Sequence, residues 1–206
     1  MKFILGTKRN MVQFFTEDGA CIPATVVDAG PVTVTQVKTP EKDGYSAVQV
    51  GFGKKNPRKM NKALAGHVKD ASYARFVKEF AIRGGGAPSH AVGDIIGVDV
   101  FEVGDVVTVS GVSKGKGFQG VVKRHGFGGG PRSHGQRHSE REPGSIGATG
   151  PQRVFKGTRM AGRMGGDRVT VKNLRVLGVD KENNILLVSG AVPGKRGTLL
   201  EVRGEN

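Results

Sequence analysis

The sequence predicts a mainly β protein: a closed or nearly closed antiparallel barrel that carries a small helical insertion and a long basic, glycine-rich loop. Three observations predict it. Short Val-rich, β-branched runs recur between turn signals towards both ends of the chain. Glycine supplies 34 of the 206 residues, far above its usual share of about 7%. The formal net charge of +14 is concentrated in one internal stretch. A chain of this size holds one ordinary domain, or one domain with a large insertion.

The strands follow in order. Ile22 to Val37 contains two β-branched runs broken by Gly30-Pro31, a turn signal. In the second, Val32 and Val34 alternate with Thr33 and Thr35, the period of a half-buried strand. Ala47 to Phe52 forms another after the turn-like Asp43-Gly44. Asp94 to Phe101 and Val106 to Val112 are separated by Gly104-Asp105, and Phe118 to Arg124 continues as a strand. Arg168 to Val179 and Ile185 to Ser189 flank the polar turn Asp180 to Asn184, and Thr198 to Arg203 closes the chain. Eight to ten short strands favour a barrel. Its core is expected from residues 1–53, 87–124 and 168–206.

Only Asn61 to Phe80 reads as helical. Leu64 and Val68, then Tyr73, Phe76, Val77 and Phe80, sit at helical spacings, with Asp70 as the cap of a second short helix. Residues 54–86 are therefore expected to be a helical insertion. Before the helix, Lys54, Lys55, Arg58, Lys59 and Lys62 place five cations in nine residues with no acid. Alone such a run is a solvated face. Beside a second, larger basic segment it points to an anionic partner.

That larger segment runs from Lys114 to Arg168. Its 55 residues hold 12 Lys or Arg and three acids, so it carries +9 of the +14, and it contains 15 of the glycines. Between Phe127 and Gln152, Ile146 is the only long aliphatic residue. Such a stretch cannot bury a core of its own. Residues 125–167 are expected to be an extended loop ordered against something else, because a structureless loop of this length counts against a compact domain unless it is functional.

Several chemistries are excluded. No apolar run reaches the length of a membrane span. The first residues, Met1 to Thr7, carry an apolar patch too short for a signal peptide. Cys21 is the single cysteine; it reads as a buried small hydrophobe in a reducing compartment. Gly115, Gly117 and Gly120 match a dinucleotide-binding string, but Val121 to Arg124 reads as β where that motif must open a helix within a βαβ unit. Gly190 to Arg196 is one residue short of a phosphate-binding loop. His134 and His138 lack a third metal ligand, and no nucleophile–base pair is evident. No cofactor, metal or small-molecule substrate is expected.

What remains is a nucleic-acid-binding set. Lys114, Lys116, Lys123, Arg124, Arg132, Arg137, Arg141, Arg153, Lys156, Arg159 and Arg163 are interleaved with His125, Phe127, His134, His138 and Phe155. Cations neutralise phosphates and release counterions. Aromatic, His and Arg planes stack on unpaired bases. Arg suits bidentate phosphate contacts. An RNA-modifying enzyme on the same barrel would need paired acids or a nucleophile, and a nonspecific DNA compactor would need no ordered loop.

The run Val112-Ser113-Lys114-Gly115-Lys116-Gly117-Phe118-Gln119-Gly120-Val121-Val122-Lys123-Arg124 resembles the signature of the family of ribosomal protein L three. The resemblance extends over Leu5 to Lys8, Phe15 to Gly19, Val34 to Lys38, His134-Gly135, Pro143 to Gly147, Val154 to Gly157, Met160 to Gly162 and Gly190 to Gly194. It is similar to the bacterial branch in length. The resemblance implies a Greek-key barrel of six strands like that of translation factors, and a structural, non-enzymatic role in the large subunit of the cytoplasmic ribosome. It implies direct binding of large-subunit ribosomal RNA early in assembly, and an inward loop at Gly126 to Lys156 directed to the peptidyl transferase centre. Large-subunit proteins fourteen and nineteen would be its neighbours. Ala148 stands where many bacterial members carry a methylated glutamine, so no such modification is expected here.

Overall fold

The computed structural model describes residues 2–68, 74–82 and 90–204. Two compact units are present, residues 1–112 with 168–206, and residues 113–167.

In the first unit, six antiparallel strands pair in a closed ring. They are β1 (Phe3–Phe15), β2 (Cys21–Ala29), β7 (Val106–Val112), β10 (Arg168–Asp180), β11 (Ile185–Ser189) and β12 (Leu199–Gly204). The order is β1-β12-β7-β10-β11-β2, and β2 pairs back onto β1. Alternation places Val107 and Val109, Leu186 and Val188, and Leu200 and Val202 in the interior, all fully buried. Burying each such side chain contributes about 1.5–3 kcal/mol.

The ring confirms Val106 to Val112 and Ile185 to Ser189 as strands with unchanged bounds. It also contains a thirteen-residue strand, β1, that periodicity does not reveal. Phe3, Ile4 and Leu5 are consecutive and all buried, so the strand shows no alternation to read. Cys21 overturns its expectation: it is exposed, because the outer end of β2 runs beyond the ring.

A second sheet runs β5-β4-β3-β6: β3 (Val32–Lys38), β4 (Ala47–Lys54), β5 (Ala74–Ala81) and β6 (Ile95–Ile96). A one-turn helix, α1 (Pro40–Asp43), joins β3 to β4. Gly30-Pro31, with a cis peptide bond, separates strands of the two sheets. Phe3 of the ring stacks on Phe80 of β5 at 4.5 Å between centroids, within one contiguous apolar core.

Two sequence expectations are corrected here. Among the described residues of Asn61 to Phe80, only Lys62–His67 is helical (α2), with Asn61 accepting from the Leu64 amide at 2.9 Å. Phe76, Val77 and Phe80 lie instead on strand β5, paired to β4. A spacing of four satisfies the helix period and the strand period alike, and the free edge of β4 decides the outcome. Asp70 and Tyr73 lie outside the described residues. The expected strand Asp94 to Phe101 is only β6, followed by a 3-10 turn over Val98–Val100. That turn superposes residues three apart, so Val98 and Phe101 both enter the core.

Arg168 of β10 pairs with Val112 of β7, so the 113–167 segment leaves and re-enters the ring at adjacent strands.

Candidate nucleic-acid interface

The 113–167 unit is held by backbone geometry rather than by a core. Its strands β8 (Phe118–Gln119) and β9 (Gly162–Arg163) pair antiparallel. Around them the Lys116 amide donates to the Met164 carbonyl and the Met164 amide to the Gly117 carbonyl, each at 2.9 Å. The ends are tied by the Ser113 amide on the Asp167 carbonyl, also at 2.9 Å. Gly165, at φ +74°, lies so close to the Lys114 carbonyl that a Cβ there would collide with it. Gly129, at φ +72°, lies equally close to the Glu140 carbonyl. The glycines of this unit thus permit close backbone approach as well as turning.

The expected strand Phe118 to Arg124 breaks at Gly120 and continues as a short helix, α3 (Val121–His125). This overturns the β reading of Val121 to Arg124 used against a dinucleotide site. The exclusion rests on the missing βαβ unit, since the flanking elements form a two-stranded ribbon and not a parallel sheet. β propensity yields because the helical turn buries Val121 and aims Arg124 and His125 at one backbone group. Arg124 Nη1 donates to the Met160 carbonyl at 2.7 Å, and His125 Nε2 lies 3.0 Å from the same oxygen.

A cleft of about 460 Å³ lies beside this turn. Ser113, Lys114, Lys116, Arg124, His125, Arg163, Met164, Gly165 and Asp167 line it. Four fixed cations face one carboxylate, an arrangement that attracts phosphate and disfavours cationic ligands. Nearby, the Arg159 guanidinium stands over the Phe127 ring at 5.2 Å, and His125 lies 6.1 Å from that ring. Arg153 stands over Phe155 at 5.6 Å. Each pair presents a charged plane backed by an aromatic one.

Most sequence-nominated residues of the unit are exposed: Lys114, Lys116, Lys123, Arg132, His134, Arg137, His138, Arg141, Arg153, Phe155, Lys156, Arg159 and Arg163. Arg124, His125 and Phe127 are half-buried. The structure brings Lys114, Lys116, Arg124, His125 and Arg163 together at the cleft. It leaves His134, Arg137, His138 and Arg141 in open turns, and Arg132 pairs loosely with Glu140 at 3.4 Å. Among the described residues no cluster of metal ligands exists, and His134 and His138 do not form one. Sequence reasoning missed Phe118, which is 77% exposed between the glycines of the cation run. An aromatic residue inside a stretch too polar to have a core was the available signal.

The second cation group belongs to the other unit. Lys54 ends β4, and Arg58 and Lys59 lie on a 3-10 turn over Pro57–Lys59. There Asn56 Oδ1 accepts from the Arg58 amide at 3.0 Å, and Lys62 opens α2. All but half-buried Lys55 are exposed. Among the described residues, no helix is long and apolar enough to cross a membrane.

The family described as ribosomal protein L3 matches residues 87–184, which span the cleft, the basic segment and two of the six ring strands, β7 and β10. The large ribosomal subunit protein uL3 of Acidothermus cellulolyticus is 55% identical over 98% of this chain and 92% of its own length. Its counterpart in Herpetosiphon aurantiacus is 53% identical over 97% and 94%. That of Syntrophobacter fumaroxidans is 48% identical over 100% and 98%. Likeness at this level covers the ring, the second sheet and the basic unit together, and the chain belongs to the ribosomal protein L3 family.

Proposed function

We propose that the chain is a structural constituent of the large subunit of the cytoplasmic ribosome, without enzymatic activity, that binds large-subunit ribosomal RNA directly. The carrying observation is the 113–167 unit: its cations and aromatics are mostly exposed, and it holds almost no buried apolar residue. An exposed surface of this composition is completed by a polyanion. Lys114, Lys116, Arg124, His125 and Arg163 hold phosphates at the cleft. Phe127, Phe155, Arg153 and Arg159 stack on unpaired bases, with Lys123, Arg132, His134, Arg137, His138, Arg141 and Lys156 along the backbone path. Lys54, Lys55, Arg58, Lys59 and Lys62 hold the RNA at a second place.

The ring is a Greek-key barrel of the translation-factor kind. β7, β10 and β11 follow one another and β12 returns beside β7, the order that defines that motif. Residues 1–112 and 168–206, with β5 paired into the second sheet, form the anchoring part, and 125–167 is the RNA-penetrating segment. Gly126 to Lys156 reaches towards the peptidyl transferase centre after early assembly, and large-subunit proteins fourteen and nineteen are neighbours.

The test is binding to a large-subunit RNA fragment over a range of salt. Affinity falls steeply with salt, and replacing Arg132, Arg137 and Arg141 with Ala lowers the log–log slope by roughly two, at about 0.7 for each phosphate no longer neutralised. An unchanged slope removes those arginines from the interface.

A further inference from the structure

The strongest feature that RNA binding does not explain is the outer end of the β1/β2 hairpin. β12 covers β1 only from Phe3 to Thr7, and β11 covers β2 only as far out as Ala24. In the ribbon that results, β1 runs on from Arg9 paired to β2 alone, through Met11↔Thr25, Gln13↔Pro23 and Phe15↔Cys21, while β2 is held from its other side as far out as Pro23, whose carbonyl accepts from the Gly190 amide at 2.7 Å. Among the described residues no strand pairs with the outer edge of β1 from Arg9 to Phe15 or with that of β2 at Cys21 and Ile22.

Its composition is opposite to that of the rest of the chain. Asn10 to Pro23 contains no cation, and its only charges are Glu17 and Asp18 at the tip. The segment is therefore −2 in a chain of net +14. One face of the ribbon, by strand alternation, carries Met11, Gln13 and Phe15 with Thr25, Pro23 and Cys21 as their cross-strand partners, and of these six only Thr25, at the inner end, is buried. Met11 is 47% and Phe15 64% exposed, and Gln13, Cys21 and Pro23 are exposed as well.

We propose that this ribbon is a docking face for a basic protein of the same particle, not for RNA. A two-stranded ribbon with an apolar face is marginal alone in water, and covering that face supplies what it lacks. Phe and Met are enriched in the buried centres of protein interfaces. Unpaired strand edges offer a partner chain backbone hydrogen bonds. The charge selects the partner: Glu17 and Asp18 repel phosphates and attract a cationic protein surface. The inference takes from the proposed function only that the chain is assembled in a ribonucleoprotein particle.

Cys21, the single cysteine, lies on this face and is exposed, so it provides a native crosslinking position. The full chain is labelled there with benzophenone maleimide, assembled with ribosomal RNA and purified large-subunit proteins, and illuminated. The expected adduct is to a protein of net positive charge; it survives ribonuclease and is identified by mass spectrometry. Substituting Met11→Ser and Phe15→Ser together lowers the adduct yield about tenfold or more, since each apolar group removed from a covered face weakens docking. The chain itself remains in the particle. Both residues are exposed, so thermal unfolding of the free variant stays near that of the parent. An adduct to RNA, no adduct in particles that contain the chain, an acidic protein partner, or a yield insensitive to the double substitution overturns the proposal. A Cys21→Ser, Arg137→Cys chain, labelled in the same way, is expected to crosslink to RNA. That arm reports on the RNA interface separately, so the two readings fail independently.

Discussion

Glu79 stands at the centre of a polar chain on the outer side of the second sheet. Its carboxylate pairs with Lys38 Nζ at 2.9 Å and accepts from Tyr45 Oη at 2.9 Å and Gln49 Nε2 at 3.1 Å. The hydrogen bond from Lys38 foremost holds the Glu79 carboxyl below its ordinary value, and the same group raises Lys38 through Tyr45 and Glu79. A carboxyl lowered by folding adds stability that is complete above its ordinary value of 4.5 and is lost as pH falls through the lowered one. Glu79→Gln is thus expected to cost about 1 kcal/mol or more at pH 7, with the gap to the parent closing below pH 4.5. Thermal unfolding across pH measures it, and a gap constant with pH would exclude the ion pair as the cause. Core and surface side chains should separate just as cleanly. Leu186→Ala, at a fully buried ring position, should cost about 2–5 kcal/mol. Phe155→Ala, at 56% exposure, should leave unfolding nearly unchanged while weakening RNA binding.

At the scale of elements, the 113–167 unit depends on turns, and the ring depends on apolar pairing. Every residue from Arg141 to Arg159 is exposed, so these residues bury little that would resist cleavage. Limited proteolysis of the free protein should cut between Gly126 and Lys156 first, and leave the ring strands in resistant fragments. Equal protection of the free and the RNA-bound forms would show that the segment is ordered without its partner. The elements also show which sequence signals are reliable. Val106 to Val112 was legible because the strand alternates between the two faces of a ring wall. Ala74 to Ala81 was not, because Phe76 and Phe80 fit two periods and only the edge of β4 distinguishes them. Val121 to His125 turned helical against β propensity because Arg124 and His125 share the Met160 carbonyl, a partner more than thirty residues away.

At the scale of the whole molecule, the ring and the basic segment should be separable. Deleting His134 to Ala148 removes residues of which only Gln136 and Glu140 are not exposed, so little hydrophobic stabilisation is lost. Shortening a long loop also slightly lowers the entropy of closing it. The deleted chain is expected to unfold within a few degrees of the parent, about the shift that 1 kcal/mol produces in a domain of this size. It should still enter large subunits, through Lys114, Lys116 and the Lys54 to Lys62 group, and those subunits should be defective in late maturation or in peptide-bond formation. Much lower thermal stability would place the segment in the core. Failure to bind RNA would make it the anchor, and fully active subunits would remove its inward role.

The sequence by itself determined the β class, the location of the basic segment and the chemistry of its partner. Those properties follow from composition and short-range period: glycine, Arg and Lys without aliphatic residues cannot form a core, and alternating Val cannot be left in water. The tertiary structure alone decided which strands close the ring, that Phe3, Ile4 and Leu5 belong to one of its two longest strands, and which five basic residues meet at the cleft. It also decided that Cys21, read from its apolar neighbours as buried, is exposed on a ribbon beyond the ring. Ring closure and overhang depend on where β11 and β12 stop pairing, and that is set by pairings between residues more than a hundred positions apart in the chain.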